Sequence, residues 1–310
     1  MGILDVFRGA PKSRRAAADA ELFDDEFQRK LDYLALVSRK VFAGRLRAER
    51  RTKKSGSGVE FADHREYQPG DDFRYLDWNV YQRFDKLLVR LYEEEEDLAI
   101  YFIVDASTSM AFGDGKKLRY AKKVCAALAY VGLANLDRVT IVSTSDQIME
   151  RMPTTRGKAR IFKVFRFLRE LAPEGVTDLG DAMKAFVAQN KRRGLAVLIS
   201  DLYDPAGFEK GINVLRYNKF DTFVVHVNDP EDGRPKLNGD VLVYDCETGD
   251  EREVTVTARV LERFEHANRE YRDQIDRFCS THKVPYISAD VNTPFDELIL
   301  RVFRRGGFLR

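Results

Sequence analysis

The fold of this chain is decided at residues 98–109, which read LAIYFIVDASTS. The first seven residues are apolar without alternation, which is typical of a parallel strand covered on both faces. The run ends at Asp105-Ala106-Ser107-Thr108-Ser109, ahead of a helical pattern that begins near Lys116. In an open parallel sheet, ligands bind beyond the carboxyl ends of the strands. The stretch therefore predicts a central strand and a binding site at its end.

Short apolar runs of the same kind recur along the chain at Val139 to Ser143, Leu195 to Ser200 and Phe223 to Val227. Apolar residues also recur at helical spacing in the segments 118–132, 161–168 and 261–278. Strands that alternate with amphipathic helices predict right-handed crossovers. We therefore expect an α/β fold with a doubly wound, mostly parallel sheet over residues 97–310. A hairpin near residues 241–257, with the turn Glu247-Thr248-Gly249-Asp250, is expected to decorate its edge.

The residues before this sheet divide into two parts. Asp19 to Ala43 predict an amphipathic docking helix, because apolar residues fall on one face and acids precede bases. Arg45 to Gly58 are basic and contain Gly and Ser, which indicates an exposed linker. We therefore assign residues 1–58 to a small N-terminal helix and basic linker, and residues 59–96 to a small β-rich unit.

The composition limits the classes of partner. Lys and Arg total 52 and Asp and Glu total 50, a net charge of +2, so no overall field indicates a nucleic-acid partner. No apolar run approaches the roughly 20 residues of a membrane helix, so we expect no transmembrane segment. The basic and apolar N-terminus leaves peripheral membrane contact open. Three cysteines without C-x-x-C spacing favour a reducing, cytoplasmic setting.

Oxygen-bearing side chains also follow or open two other predicted elements. Thr177 opens a helix, and Asp201 follows the strand that ends at Ser200. Because the carboxyl ends of parallel strands share one edge, we expect a single metal site formed by Asp105, Ser107, Ser109, Thr177 and Asp201. Hydroxyl and carboxylate oxygens suit Mg²⁺, with Mn²⁺ or Ca²⁺ as alternatives. In the competing interpretation, Asp105 and Ser107 only cap the helix that follows them, and Thr177 caps another.

The pattern Asp-x-Ser-x-Ser, followed by a Thr and by an Asp after a later strand, resembles the metal-ion-dependent adhesion site of the von Willebrand factor A superfamily. The resemblance implies that superfamily's Rossmann-type sheet. It also implies that Ser107, Ser109 and Thr177 coordinate the ion directly, with Asp105 and Asp201 close by, partly through water. Because few carboxylates bind directly, the ion would keep an open position for an Asp or Glu from another protein.

A second resemblance covers the small β-rich unit. Residues 64–78 read HREYQPGDDFRYLDW, and Leu88-Val89-Arg90 and an acidic run follow them. These features are similar to the bacterial family called domain of unknown function 58 (DUF58). The resemblance implies work with a MoxR-type AAA+ ATPase, in assembly or chaperone-like maturation of an unknown client protein.

The same segment predicts local structure. Pro69-Gly70 predicts the centre of a type II turn with positive φ at Gly70. A network of ion pairs and turns that braces Trp78 against the sheet is expected from Arg65, Asp71, Asp72, Arg74 and Asp77. An exposed acidic face, or alternatively a docking strip for a basic partner, is expected from Glu93, Glu94, Glu95 and Glu96.

The residues favour a metal-dependent adaptor over an enzyme. An aspartyl-phosphate hydrolase, which could be Mg²⁺-dependent, needs a second carboxylate two residues after its nucleophile, and Ser107 occupies that place. A nucleotide hydrolase needs a G-x-x-x-x-G-K-[ST] loop, and Gly113-Asp114-Gly115-Lys116 is too short. A structural scaffold without a functional metal would leave the meeting of three loops unexplained. We therefore expect no catalysis by this chain.

Overall fold

The structure is a computed structural model that describes residues 22–42, 51–54, 60–95 and 98–305. These residues form two compact units, of which the larger contains residues 22–38 and 98–305. The helices are α1 (Asp25–Phe42), α2 (Trp78–Phe84), α3 (Lys116–Ala134), α4 (Ile161–Glu170), α5 (Leu179–Gln189), α6 (Phe208–Tyr217), α7 (Ala258–Thr281) and α8 (Phe295–Arg305). The strands are β1 (Arg51–Lys54), β2 (Glu60–Glu66), β3 (Leu88–Glu95), β4 (Ala99–Asp105), β5 (Arg138–Thr144), β6 (Ile148–Thr155), β7 (Leu195–Ser200), β8 (Asp221–Asn228), β9 (Gly239–Tyr244), β10 (Glu251–Val256) and β11 (Tyr286–Asp290).

The larger unit is built on a central six-stranded sheet in the order β11-β8-β7-β4-β5-β6. Its neighbouring strands are parallel except for β6, which pairs antiparallel with β5. Numbered by appearance within the sheet, this is the order 3-2-1-4-5-6 of doubly wound folds. The expected α/β class with a mostly parallel sheet is confirmed. Strands β6 and β11 were not predicted, because their partly exposed residues lack a continuous apolar run.

Strand β4 is apolar along its length because helices cover both faces of the sheet. Tyr101 and Ile103 lie in a core cluster with residues of α5, α6 and α7. Ile100 points to the opposite face, where a Cβ added at Gly132 of α3 would lie 3.1 Å from its Cδ1 atom. Full burial of a large apolar side chain stabilises the fold by roughly 1.5–3 kcal/mol. Because helices cover both faces of the sheet, apolar residues are favoured at every position of β4.

Helix α1 docks through the apolar face that its sequence predicts. Phe23, Phe27, Leu31 and Leu34 are all buried. The Phe23 ring stacks on Phe165 of α4 with centroids 4.5 Å apart, and the Phe27 ring lies 4.6 Å from that of Phe295 in α8. Residues 22–38 therefore belong to the core of the larger unit.

Strands β9 and β10 form a separate antiparallel hairpin that, within the described residues, pairs with no strand of the central sheet. Most of its side chains are exposed. The Asp245 carboxylate organises the turn, because it accepts hydrogen bonds from the amides of Glu247 at 2.8 Å and Thr248 at 3.0 Å. Gly249 has a φ of +77°, which suits the residue at this position in the turn. The turn has a defined shape although the strands are solvated.

The smaller unit contains a three-stranded antiparallel sheet in the order β1-β3-β2. Strand β1 corrects the interpretation of residues 45–58 as a linker, of which 45–50 and 55–58 lie outside the described residues. Its register sets Lys53 opposite Glu93 and Arg51 opposite Glu95. Of the predicted acidic face, Glu96 and the side chains of Glu93, Glu94 and Glu95 lie outside the described residues.

Asp77 is the polar centre of the smaller unit. Its carboxylate caps α2 by accepting from the Asn79 and Val80 amides, and it also accepts from Arg90 Nε at 2.9 Å and His64 Nε2 at 3.0 Å. Hydrogen bonds from Arg90 and then His64 hold the pKa of Asp77 well below its ordinary value.

The remaining predicted ion pairs of this unit form within two short segments. Arg65 pairs with Asp71 at 2.8 Å, and Arg74 pairs with Asp72 at 2.6 Å. Trp78, however, is 55% exposed, so the prediction that this network braces it was wrong. The physical reason is that Trp78 is the first residue of α2, where Asp77 caps the backbone amides of Asn79 and Val80, while the Arg65–Asp71 and Arg74–Asp72 pairs lie within their own short segments.

The turn at Gly70 agrees with its prediction. Gly70 has a φ of +105°, and the Asp71 amide donates to the Gln68 carbonyl at 3.0 Å. A Cβ added at Gly70 would meet no atom within 4 Å. Glycine is therefore favoured here by backbone conformation alone.

Candidate metal centre

Backbone hydrogen bonds join the loops that follow β4 and α4. Thr108 donates to the Gly175 carbonyl from its amide at 3.1 Å and from its hydroxyl at 3.0 Å. The Glu174 amide donates to the Ala106 carbonyl at 2.8 Å. Strands β4 and β7 are neighbours, so the loop after Ser200 begins beside the one after Asp105. The three predicted segments therefore meet at one edge, where the strand order reverses.

Gly175 is required at this junction. Its φ is +83°, and a Cβ added there would lie 2.8 Å from the Ser145 hydroxyl oxygen. A larger residue would be strained in its backbone and would displace Ser145. The glycine thus allows the loop that carries Thr177 to approach the sheet.

Asp105, Ser107 and Ser109 form a buried oxygen cluster. Asp105 Oδ1 accepts from the Ser107 amide at 2.9 Å, and Oδ2 accepts from the Ser200 hydroxyl at 2.5 Å. The Ser107 and Ser109 hydroxyl oxygens lie 2.9 Å apart and share a hydrogen bond. Burial, followed by the charge of Asp201, raises the pKa of Asp105 to about 7. The cluster therefore carries a carboxylate for which negative charge is unfavourable.

Asp201 is joined to a buried lysine that the sequence analysis did not identify. Lys117 Nζ donates to Asp201 Oδ2 at 2.8 Å and lies 2.9 Å from Asp232 Oδ2, and its side chain is only 3% exposed. Burial by itself would lower the pKa of Lys117, but the charges of Asp201 and Asp232 outweigh it and hold that pKa above its ordinary value. A base in the first turn of a helix opposes the helix dipole, and this was the available signal that Lys117 needs carboxylate partners.

Thr177 contacts a carboxylate from the hairpin turn. Its hydroxyl donates to Glu247 Oε1 at 2.7 Å, and its amide donates to Glu247 Oε2 at 3.0 Å. Thr177 is buried, whereas Glu247 is half-buried. Sequence analysis placed Glu247 only in a turn, because 70 residues separate the two.

A cavity of about 880 Å³ opens at this edge of the sheet. Ser109, Lys117, Asp232 and Glu247 contribute polar atoms to its wall. Aromatic and apolar side chains form other parts of the wall, namely Phe112, Tyr203, Val243, Tyr244, Phe264 and Tyr271. The site thus adjoins a cavity within the size range of ligand pockets.

The donor set fits a hard divalent cation. Its members are hydroxyl and carboxylate oxygens, which suit Mg²⁺ better than a soft metal. Thr144, which pairs with Asp105 in the sheet register, has a buried hydroxyl without a hydrogen-bond partner among the described residues. Among all the residues that the structure describes, no group of three or more His, Cys, Asp and Glu side chains is placed to hold a metal. An ion here would therefore depend on hydroxyls.

The five predicted metal ligands lie in two different environments. It gathers Asp105, Ser107, Ser109 and Asp201 into one buried group, linked by hydrogen bonds or by charge. It places Thr177 on the adjoining loop, where the Thr177 hydroxyl donates a hydrogen bond to Glu247. Ser200, Lys117 and Glu247 join the site through contacts that local sequence does not reveal.

Fold and site together define a mixed α/β protein with an oxygen-rich site at the carboxyl edge of a mostly parallel sheet. Residues 63–274 match the family described as "Protein of unknown function DUF58", and the chain belongs to that family. The family resemblance found in the sequence is thereby confirmed.

The similar proteins add relatives without an assigned function. Uncharacterised proteins of Mycobacterium tuberculosis and Mycobacterium bovis are each 28% identical over 273 residues, which cover 86% of both chains. Among solved structures, BatB from Bacteroides thetaiotaomicron has a TM-score of 0.42 at 15% identity and covers 67% of this chain and 96% of its own. An aerotolerance-related membrane protein from Bacteroides fragilis has a TM-score of 0.41 at 16% identity, with coverage of 67% and 99%. In the described part of this chain, no helix is long and apolar enough to cross a bilayer.

Proposed function

We propose that this chain is a metal-dependent protein-binding adaptor. In this proposal Mg²⁺, or Mn²⁺ or Ca²⁺ in its place, is held by Asp105, Ser107, Ser109, Thr177 and Asp201, and an acidic side chain of a partner protein completes the site. The observation that supports it most is the buried cluster of Asp105, Ser107 and Ser109 at the carboxyl edge of the sheet.

The electrostatics of the cluster support a cation. The carboxyl group of Asp105 is buried near Asp201, and its pKa is raised to about 7. A divalent ion would favour the ionised form of Asp105, since an opposite charge within a few ångströms lowers a carboxyl pKa. The serine hydroxyls are neutral, so the ion would retain positive charge with which to attract a partner's carboxylate. This chain's own residues would bind and orient the ion, and the partner would supply the remaining ligand.

The family resemblance suggests the partner as a MoxR-type AAA+ ATPase, with an unknown client protein, in assembly or chaperone-like maturation. A cytoplasmic location is part of the proposal, and the free state of Cys125, Cys246 and Cys279 is in keeping with it. We further propose that the chain does not hydrolyse phosphate esters. Ser107, where a hydrolase would carry its acid, instead shares a hydrogen bond with Ser109.

The test compares binding of a co-encoded AAA+ ATPase to the full chain in Mg²⁺, in Ca²⁺ and in EDTA by calorimetry, after a Mn²⁺ titration of the chain alone. We expect one bound Mn²⁺ per chain. Loss of one charge-assisted contact to a partly desolvated ion should cost about 2–5 kcal/mol, so EDTA should weaken the complex by about 30-fold to several-thousand-fold.

Variants identify the site. Asp105→Ala and Ser109→Ala should weaken both Mn²⁺ and partner binding, whereas Asp181→Asn, which changes an exposed carboxylate on α5, should alter neither. Circular dichroism verifies that each variant is folded. Wild-type Mn²⁺ affinity in a folded Asp105→Ala would mean that the site is wrong. Equal partner affinity in all three solutions would mean that the metal is not the docking point.

A further inference from the structure

We propose that Glu247, at the tip of the β9–β10 hairpin, orients Thr177 as a ligand of the metal centre through its two hydrogen bonds to that residue, so that cation binding and docking of the hairpin strengthen each other. This inference rests on the proposed cation site. It adds a residue 46 positions beyond Asp201, from an insertion that no part of the metal motif includes.

The contact is specific in its geometry. Both oxygens of Glu247 are used, one by the Thr177 hydroxyl at 2.7 Å and the other by the Thr177 amide at 3.0 Å. The hydrogen bond from the Thr177 amide fixes the Glu247 carboxylate against the backbone of the loop. The hydrogen bond from the Thr177 hydroxyl is therefore held in one orientation. Glu247 and Ser109 both line the cavity at this edge of the sheet, so the Thr177–Glu247 contact and the oxygen cluster face the same space.

The chemistry of a hydroxyl determines the sign of the effect. Thr177 Oγ1 has one hydrogen to donate and lone pairs to offer, so it can donate to Glu247 and bind a cation at the same time. A cation on the oxygen makes the hydroxyl a stronger donor, and a bond to an ionised acceptor gains most from this. Partners that orient a metal ligand in this way also raise its affinity for the ion. Glu247 should therefore support the cation rather than displace it.

The hairpin is suited to respond to such a contact. Its strands are largely exposed, and a two-stranded hairpin is marginally stable by itself in water. Within the turn, Cys246, Thr248 and Gly249 are exposed, whereas Glu247 is half-buried against the domain. The Asp245 carboxylate holds the turn so that Glu247 projects from it. A change in the strength of the Thr177 contact should therefore be visible as a change in hairpin protection.

The experiment measures Mn²⁺ affinity of the full chain by calorimetry in four proteins. These are wild type, Glu247→Gln, Glu247→Asp and Glu251→Gln, the last being an exposed carboxylate at the start of β10. We expect Glu247→Gln to bind Mn²⁺ about 10- to 100-fold more weakly, as is usual when a residue that orients a metal ligand is lost. Glu247→Asp keeps the charge but is one methylene shorter, so it should also weaken binding. Glu251→Gln should remain within about twofold of wild type, since it removes charge without the contact.

Hydrogen exchange supplies an independent readout of the hairpin. Mn²⁺ should slow exchange in residues 239–256 of wild type, and this protection should be lost in Glu247→Gln. Coupling between two binding events is reciprocal. The free energy by which Mn²⁺ increases hairpin protection should therefore be comparable with the free energy of Mn²⁺ binding that Glu247→Gln loses.

Each outcome has one meaning. Equal Mn²⁺ affinity in wild type and Glu247→Gln would overturn the inference and leave the proposed metal site standing. Tighter binding by Glu247→Gln would show that Glu247 competes with the cation, which also overturns the inference. Failure of wild type to bind Mn²⁺ would remove the proposed function, and this inference with it. Weaker binding in both Glu247 variants, together with metal-dependent protection of the hairpin, would support it.

Discussion

Two buried aspartates, one in each unit, occupy contrasting environments. Asp77 in the smaller unit accepts hydrogen bonds from Arg90, from His64 and from two amides at the start of α2, and its pKa is lowered. Asp105 in the larger unit accepts from the neutral Ser200 hydroxyl and the Ser107 amide, and its pKa is raised to about 7. Both side chains are withdrawn from water, but only one receives a counter-charge directly.

The difference separates a structural carboxylate from a functional candidate. Asp77 is stabilised as an anion by its own unit, so its network is explained by folding alone. Asp105 is strained as an anion beside Asp201, and the nearby positive charge of Lys117 is held by Asp201 and Asp232. Perturbed carboxylates at a strand end beside a cavity are typical of functional sites. The contrast therefore points to the larger unit as the one with unused binding capacity.

The largest expected loss of stability follows from removing Lys117, which tests whether this residue is the internal counter-ion of the site. Lys117→Met should destabilise the metal-free chain by about 3–5 kcal/mol, because removing one partner leaves buried charge uncompensated. Lys116→Met is the matched control, since Lys116 pairs with Glu231 at the surface, where ion pairs contribute about 0–1 kcal/mol. Urea denaturation at pH 7 in EDTA measures both. Similar small losses in the two variants would mean that the buried pair adds little, and the contrast between the units would weaken.

A smaller effect, of opposite sign in the two units, concerns pH. A carboxyl whose folded pKa is raised contributes stability below its unfolded pKa and loses it as pH rises through the folded value. Asp105→Asn removes this loss. In EDTA the variant should therefore have a free energy of unfolding about 1–3 kcal/mol higher than wild type between pH 5 and pH 8.

Asp77→Asn is the contrasting variant in the same experiment. The folded pKa of Asp77 is lowered, so its contribution is present above the unfolded pKa and is lost as pH falls through the folded value. This variant should be less stable than wild type at pH 7, and the difference should shrink as pH falls below about 4. Urea midpoints across this range provide the comparison. Parallel pH curves for the two variants would show that their environments do not differ as described.

The smallest effect isolates backbone conformation in the smaller unit. Gly70→Val should lower stability by about 1 kcal/mol, because a β-branched residue must adopt a φ of +105° in a turn with open space around the Cβ position. No charge or contact is lost, so the ion pairs around Asp77 should persist. The melting temperature measures the change, and an unaltered value would mean that the turn tolerates a side chain.

Much of the central sheet could be predicted because burial on both faces leaves a local signature. The apolar runs of β4, β5, β7 and β8 are visible in the sequence because these strands are buried along nearly their whole length. Strand β1 could not be predicted in the same way. Its four residues are polar, and their pairing with β3 depends on a segment about 40 residues away.

The sequence by itself determined the α/β class, the strand ends that carry Asp105 and Asp201, and the glycine turn at Gly70. Each depends on residues that are neighbours in the chain, through periodicity or through the φ that one residue can adopt. Only the tertiary structure decided that Lys117 pairs with Asp201 and that Glu247 accepts a hydrogen bond from the Thr177 hydroxyl. Those pairs are 84 and 70 residues apart, so their meeting depends on how the helices and the hairpin pack. Local pattern carries no record of such packing, because a hydrogen bond between distant side chains requires only that two atoms arrive at the same place.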